Sequence, residues 1–124
     1  MLDKTPAGHG TEPGSASLMV APGRTRLVLS GEIDVALSSE LTEAVNEAEA
    51  SGLPVEIDAR NVTFMDSSGV ALLARLAHRT PRPLVIIQPP DVVRFLLEIT
   101  RLGDLVTIVE DDPGFPDDPD DDAA

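Results

Sequence analysis

Residues 55–76 read VEIDARNVTFMDSSGVALLARL, and the tetrapeptide Asp66-Ser67-Ser68-Gly69 within them decides how the chain is understood. Val55 and Ile57 alternate with Glu56 and Asp58, the pattern of a short strand with one apolar side. A loop follows. From Ser67 to about Arg79 the period becomes helical, with Gly69, Leu73, Leu76 and Ala77 on one face. Arg75, His78 and Arg79 fall toward the C-terminal end, where cations suit the helix dipole. The serines therefore stand where a helix begins, beside unpaired backbone N–H groups with partial positive charge. Asp and Ser are among the best N-cap residues, so capping alone accounts for the tetrapeptide taken in isolation. A serine at that place is also exposed, next to amides that favour an anion. Gly69 is expected to keep the first turn uncrowded, so that a large partner or a phosphate can come close.

The flanking sequence continues the alternation. Ser17–Ala21 and Thr25–Gly31 surround Pro22-Gly23-Arg24 and predict a β-hairpin. Leu37, Leu41, Ala44, Val45 and Ala48 then define one helical face. Ser38 or Ser39 is expected to cap that helix, and Gly52 followed by Pro54 to end it. After the central strand and helix, PLVII (residues 83–87) reads as a strand buried on both sides. DVVRFLLEI (91–99) reads as a third helix, capped by Asp91, with Val92, Phe95, Leu96 and Ile99 as its buried face. Gly103 ends that segment, and LVTIV (105–109) is a last strand. The order ββαβαβαβ predicts an α/β fold, a small mixed sheet with helices packed against it, whose later strands are parallel and joined by right-handed crossovers.

The boundaries follow from composition. The expected domain spans residues 18–109. Residues 1–17 are rich in Gly, Pro, Ser and Thr and are expected to be disordered. Residues 110–124, EDDPGFPDDPDDDAA, hold eight acids (Glu110, Asp111, Asp112, Asp117, Asp118, Asp120, Asp121, Asp122) and no base, and are read as a disordered, solubilising tail. The whole 124-residue chain carries a formal charge of −13, and the rest of it is only mildly acidic. A basic footprint for nucleic acid is missing, and with three Phe and no Tyr or Trp so are stacking platforms for single strands. The absence of cysteine excludes disulfides and thiol chemistry and fits a reducing compartment. The N-terminus has no apolar signal region, and no stretch is long enough to span a membrane, so the expected location is cytoplasmic, without a membrane partner.

Enzyme chemistry is not supported. A catalytic serine needs a base within hydrogen-bond reach. His9 lies in the leader, and His78 is eleven residues beyond Ser67, about 16 Å along the helix. Asp66 also stands where the G-x-S-x-G elbow requires glycine. No metal-ligand spacing, Walker A loop or dinucleotide fingerprint is present, so no metal, cofactor or catalytic residue is assigned.

Three motifs in order carry a family resemblance. VEIDARNVTFMDSSGVALLARL resembles the signature of the bacterial anti-sigma factor antagonists of the STAS-domain family, a strand ending in Asp and then D-S-S-G or D-S-T-G at a helix start. LSGEIDVAL (29–37) resembles the family's G-E-[LI]-D motif, and PDVVRFLLEITRLGD (90–104) its third helix. The match covers about residues 18–109. The resemblance implies that the unphosphorylated protein binds an anti-sigma factor with a histidine-kinase-like ATPase fold and so frees a sigma factor for transcription. It further implies that this anti-sigma factor is a serine kinase acting on Ser67, that phosphorylation turns binding off, and that a PP2C-type phosphatase resets the switch. Asp66, Ser67, Ser68 and Gly69 are then the partner-binding segment. Asp34 is either a further part of that surface or a cap of the first helix or its turn. STAS domains also serve as cytoplasmic subunits of lipid-transport ABC systems, which is the alternative, together with a scaffold role in a signalling assembly.

Overall fold

The computed structural model describes residues 13–115. A hairpin opens the fold. β1 (Ser15–Val20) pairs antiparallel with β2 (Thr25–Ile33), and the Ala21 N–H closes the turn on the Arg24 carbonyl at 2.9 Å. A 3-10 turn (Val35–Leu37) leads into α1 (Ser38–Ser51), which stops at Gly52 in the left-handed conformation, φ 69°. Then come β3 (Val55–Met65), α2 (Ser67–Arg79), β4 (Leu84–Ile87), α3 (Asp91–Ile99), a second 3-10 turn (Leu102–Leu105) and β5 (Val106–Val109). The sheet order is β1-β2-β3-β4-β5, and every pair after the first is parallel. Each parallel step is bridged by a helix, as the alternation of periods requires.

Strand alternation divides the sheet into two unlike faces. Leu27, Leu29 and Ile33 of β2, Val55, Ile57 and Ala59 of β3, and Leu84 and Ile86 of β4 join Leu41, Val45, Ala48, Leu73, Leu76, Val93 and Leu97 of the helices in one aliphatic core. Between those inward positions Arg26, Glu56 and Asp58 point the other way, yet they too are buried.

Four local expectations change. β3 is not followed by a long loop. It runs to Met65, and two register irregularities against β2 let its second half stay paired. The first helix is not started by Ser38 or Ser39. Asp34 caps the preceding 3-10 turn by accepting the Ala36 N–H at 3.0 Å, and Leu37, without a side-chain bond, precedes α1. α3 begins after Pro90, with Asp91 as its first residue rather than its cap. α3 is also rotated from the expected face: Val93 and Leu97 are buried, whereas Phe95 and Ile99 are 59% and 58% exposed. Its sequence is apolar nearly all round, so helical period alone does not select the inner face.

The expected ends also shift. β1 begins at Ser15, inside the stretch read as a leader, because Ala16 completes the core at the sheet edge. Residues 112–115, read as tail, pack on the second face of the sheet, where Phe115 is fully buried and Asp112 pairs with Arg26 and Arg60. Their acids are not all solvated, since strand positions 26 and 60 present guanidinium groups to them. Residues 1–12 of the leader and 116–124 of the tail lie outside the described residues.

Candidate functional site

Two of the three motifs singled out in the sequence, LSGEIDVAL and the one holding Asp66-Ser67-Ser68-Gly69, meet at the C-terminal ends of β2 and β3. The Asp66 N–H donates to the Ile33 carbonyl at 3.1 Å, which holds the end of β3 against the end of β2. Asp66 is the N-cap of α2. Its Oδ1 accepts the Ser68 N–H at 2.9 Å, the Gly69 N–H at 3.3 Å and the Ser68 hydroxyl at 2.6 Å. The Val35 amide also favours the charged form of this carboxylate, so the turn after β2 lies beside the start of α2. Partial burial pushes this carboxyl up. The Ser68 hydroxyl and the amides of Ser68, Gly69 and Val35 outweigh that and hold it below the usual carboxylate range. Asp66 is therefore an ionised clamp for the helix start.

The adjacent serines differ sharply. The Ser68 hydroxyl is spent on Asp66. Ser67, the first residue of α2, is exposed, and among the described residues its hydroxyl has no hydrogen-bond partner. It lies at the positive end of a 13-residue helix. Among the described residues no histidine is brought to it: His78 stands exposed in the last turn of α2, at the other end. The arrangement offers a hydroxyl to an external reagent and does not activate it.

Gly69 has a different role from the one expected. It is buried, and a Cβ there would stand 2.8 Å from Met65 Cγ and 3.0 Å from Ile33 Cγ2. Glycine lets the helix start sit directly on the strand ends, rather than leaving room for a partner. Asp34 caps its turn, and the same turn lies beside Asp66, so both readings of Asp34 meet at one place. Sequence reasoning missed Val35. Its side chain is 73% exposed, an apolar tip next to the clamp. The motif gives no signal for it, because a valine between Asp34 and Ala36 reads equally well as core.

Comparison with known proteins accords with this fold. The family model described as "Mlab, STAS domain" matches residues 18–109. Among solved structures, an anti-sigma factor antagonist from Mycobacterium paratuberculosis superimposes with a TM-score of 0.70 at 21% identity, over 85% of this chain and 90% of that one. The anti-sigma factor antagonist SpoIIAA in its unphosphorylated form superimposes with a TM-score of 0.64 at 19% identity, over 79% of this chain and 90% of that one. Curated proteins give no match. With the family model covering most of its length and both motifs assembled at one pole of the sheet, the chain belongs to the STAS-domain family.

Proposed function

We propose that the protein is an anti-sigma factor antagonist, a non-enzymatic binding protein whose docking surface is switched by phosphorylation of Ser67. One observation carries the reading: of two neighbouring serines at a helix N-terminus, Ser68 is tied to Asp66 and Ser67 is exposed and free among the described residues. The partner is an anti-sigma factor that is itself a serine kinase of the histidine-kinase-like ATPase fold, and a PP2C-type phosphatase reverses the modification. Asp34, Val35, Asp66, Ser67 and Ser68 form the surface, with Gly69 seating it on the sheet.

The physics of the switch follows from its position. A phosphate adds about −1.5 to −2 charges and three acceptor oxygens. At the N-terminus of α2 the helix dipole favours it, while the ionised Asp66 opposes it at short range. The fold is expected to persist, and docking to fail through bulk, charge and the cost of desolvating the dianion. The test is incubation with a candidate kinase-type anti-sigma factor and ATP, then phosphopeptide mapping. The expected outcome is a single phosphate on Ser67, constitutive binding by Ser67→Ala and weak binding by Ser67→Asp. Phosphate on Ser68, or loss of binding in Ser67→Ala, overturns the assignment.

A second reading has one observation in its favour, the "Mlab" description of the matching family model. In that reading the chain is a cytoplasmic STAS subunit of a lipid-transport ABC system, and Ser67 contacts a partner without being modified. Affinity purification separates the two: a permease and its ATPase for the second, a kinase-like ATPase for the first.

A further inference from the structure

The domain matched by the family ends at residue 109, and the core is complete without anything beyond Ile108. Residues 111–115 nevertheless return to the sheet, with no strand pairing of their own. They lie on the second face, the side opposite the helices. Asp112 makes a two-pronged contact with Arg26, Oδ1 to Nη2 at 2.8 Å and Oδ2 to Nη1 at 3.3 Å, and Oδ2 also accepts from Arg60 Nη2 at 3.0 Å. The Gly114 N–H folds back on Asp112 Oδ1 at 2.7 Å, and the Gly114 carbonyl accepts from Arg24 and Arg26. Phe115 is 0% exposed yet stands apart from the main core. Its ring faces the guanidinium groups of Arg24 and Arg26, 5.0 and 5.2 Å from the ring centroid.

The receiving side is organised independently of the segment. Glu56 holds Arg26 through Nε at 2.8 Å and makes an ion contact with Arg24 at 3.2 Å. Asp58 grips Arg60 through Nε at 3.0 Å and Nη2 at 2.7 Å. The three arginines are thus oriented by carboxylates of the folded sheet, each with donors left for an acceptor from outside.

We propose that this face is a peptide-recognition site, and that residues 112–115 are its ligand bound in cis. The class of ligand it takes is an acidic segment with an aspartate followed three residues later by an aromatic ring. The aspartate satisfies the arginine fork, a turn presents the intervening carbonyl, and the ring is buried against two cations. The site lies at the pole opposite Ser67. Arg26 stands near the start of β2 and Ile33 ends it, a separation of about 23 Å at ~3.3 Å per residue. The inference does not depend on the partner-switch reading.

Two measurements on the full-length chain test it. In the first, a synthetic peptide of sequence EDDPGFP is titrated into labelled protein and followed by amide spectra. Wild-type protein is expected to show no saturable shifts, its site being filled. The Asp112→Asn/Phe115→Ala variant is expected to show them at Arg24, Arg26, Glu56 and Arg60. A peptide carrying the same two replacements is expected to bind at least about tenfold more weakly. Shifts centred on Asp34 to Gly69, or none in a folded variant, overturn the proposal. The second measurement leaves the site intact, so it decides the matter even if that variant does not fold. The chain has no cysteine, so a spin label at Asp117→Cys is unique. Broadening is expected at Thr25 and Arg26 and not at Ser67. Absent or uniform broadening, or broadening that appears only between different molecules, overturns binding in cis.

Discussion

Asp66 and Asp112 mark the two poles of the sheet. Asp66 is fixed chiefly by neighbours in sequence, the hydroxyl and amide of Ser68 and the amide of Gly69, and it leaves the hydroxyl beside it exposed. Asp112 is fixed by residues far away in the chain, Arg26 and Arg60, and the ring that follows it is buried. Both carboxyls are held below their ordinary range. Backbone and hydroxyl donors do this at Asp66 against a desolvation cost. At Asp112 the Arg26 hydrogen bond leads, and the value falls to about 2. One pole therefore spends its donors on keeping a helix start in place while leaving a hydroxyl exposed. The other spends them on closing a face. A surface meant to change partners has to remain partly unsatisfied, and a strap has to be satisfied completely.

The largest effect should come from the closed pole. Phe115→Ala removes a fully buried ring, and large-to-small changes of that kind cost about 3–5 kcal/mol. Denaturant unfolding should show the loss in the midpoint. If residues 110–115 are a tail without structural consequence, the midpoint will not move, and the contrast between the poles collapses.

Asp112→Asn comes next, at about 1–3 kcal/mol near neutral pH, because it weakens the bonds to Arg26 and Arg60 while keeping the shape. Its pH dependence gives the sharper check. Asp112 has a folded pKa of about 2, below the unfolded value of 3.8. Its contribution is therefore fully present above the unfolded value and is lost as pH falls through the folded one. The stability gap between wild type and Asp112→Asn should be constant above pH ~4 and close toward pH ~2. A gap that persists at pH ~2 would mean that the asparagine disturbs packing rather than charge.

The two poles were not equally legible in the sequence. The Ser67 pole is local. A strand, a capping aspartate, paired serines and a helical face follow each other directly between Val55 and Ala77, so periodicity and capping rules locate it. What those rules did not resolve is which serine is free, since that depends on the Ser68 rotamer, and which side Gly69 faces. The strap is non-local. Its partners are separated by 86 and 52 residues, and a run of acids looks equally solvated whether or not arginines wait for one of them. Two signals were available in retrospect. Phe115 is one of only three phenylalanines and stands alone in a polar segment. Arg26 also occupies a buried strand position beside Leu27, where an unpaired guanidinium would be costly to bury. The face of α3 was illegible for another reason: with Val92, Val93, Phe95, Leu96, Leu97 and Ile99 all apolar, two faces compete, and only the tertiary register chooses.

The smallest effects belong to the open pole, and their ordering tests its design. Asp66→Ala removes the cap of α2 and should cost about 1–2 kcal/mol. Ser67→Ala removes a hydroxyl that holds nothing among the described residues and should leave stability within about 0.5 kcal/mol of wild type. Ser68→Ala should fall between them, because its hydroxyl bond to Asp66 is lost while the backbone cap remains. Thermal unfolding of the three variants side by side checks the order. A Ser67→Ala protein as destabilised as Asp66→Ala would show that the Ser67 hydroxyl supports the helix start, and a serine needed for structure is poorly placed to serve as a reversible switch.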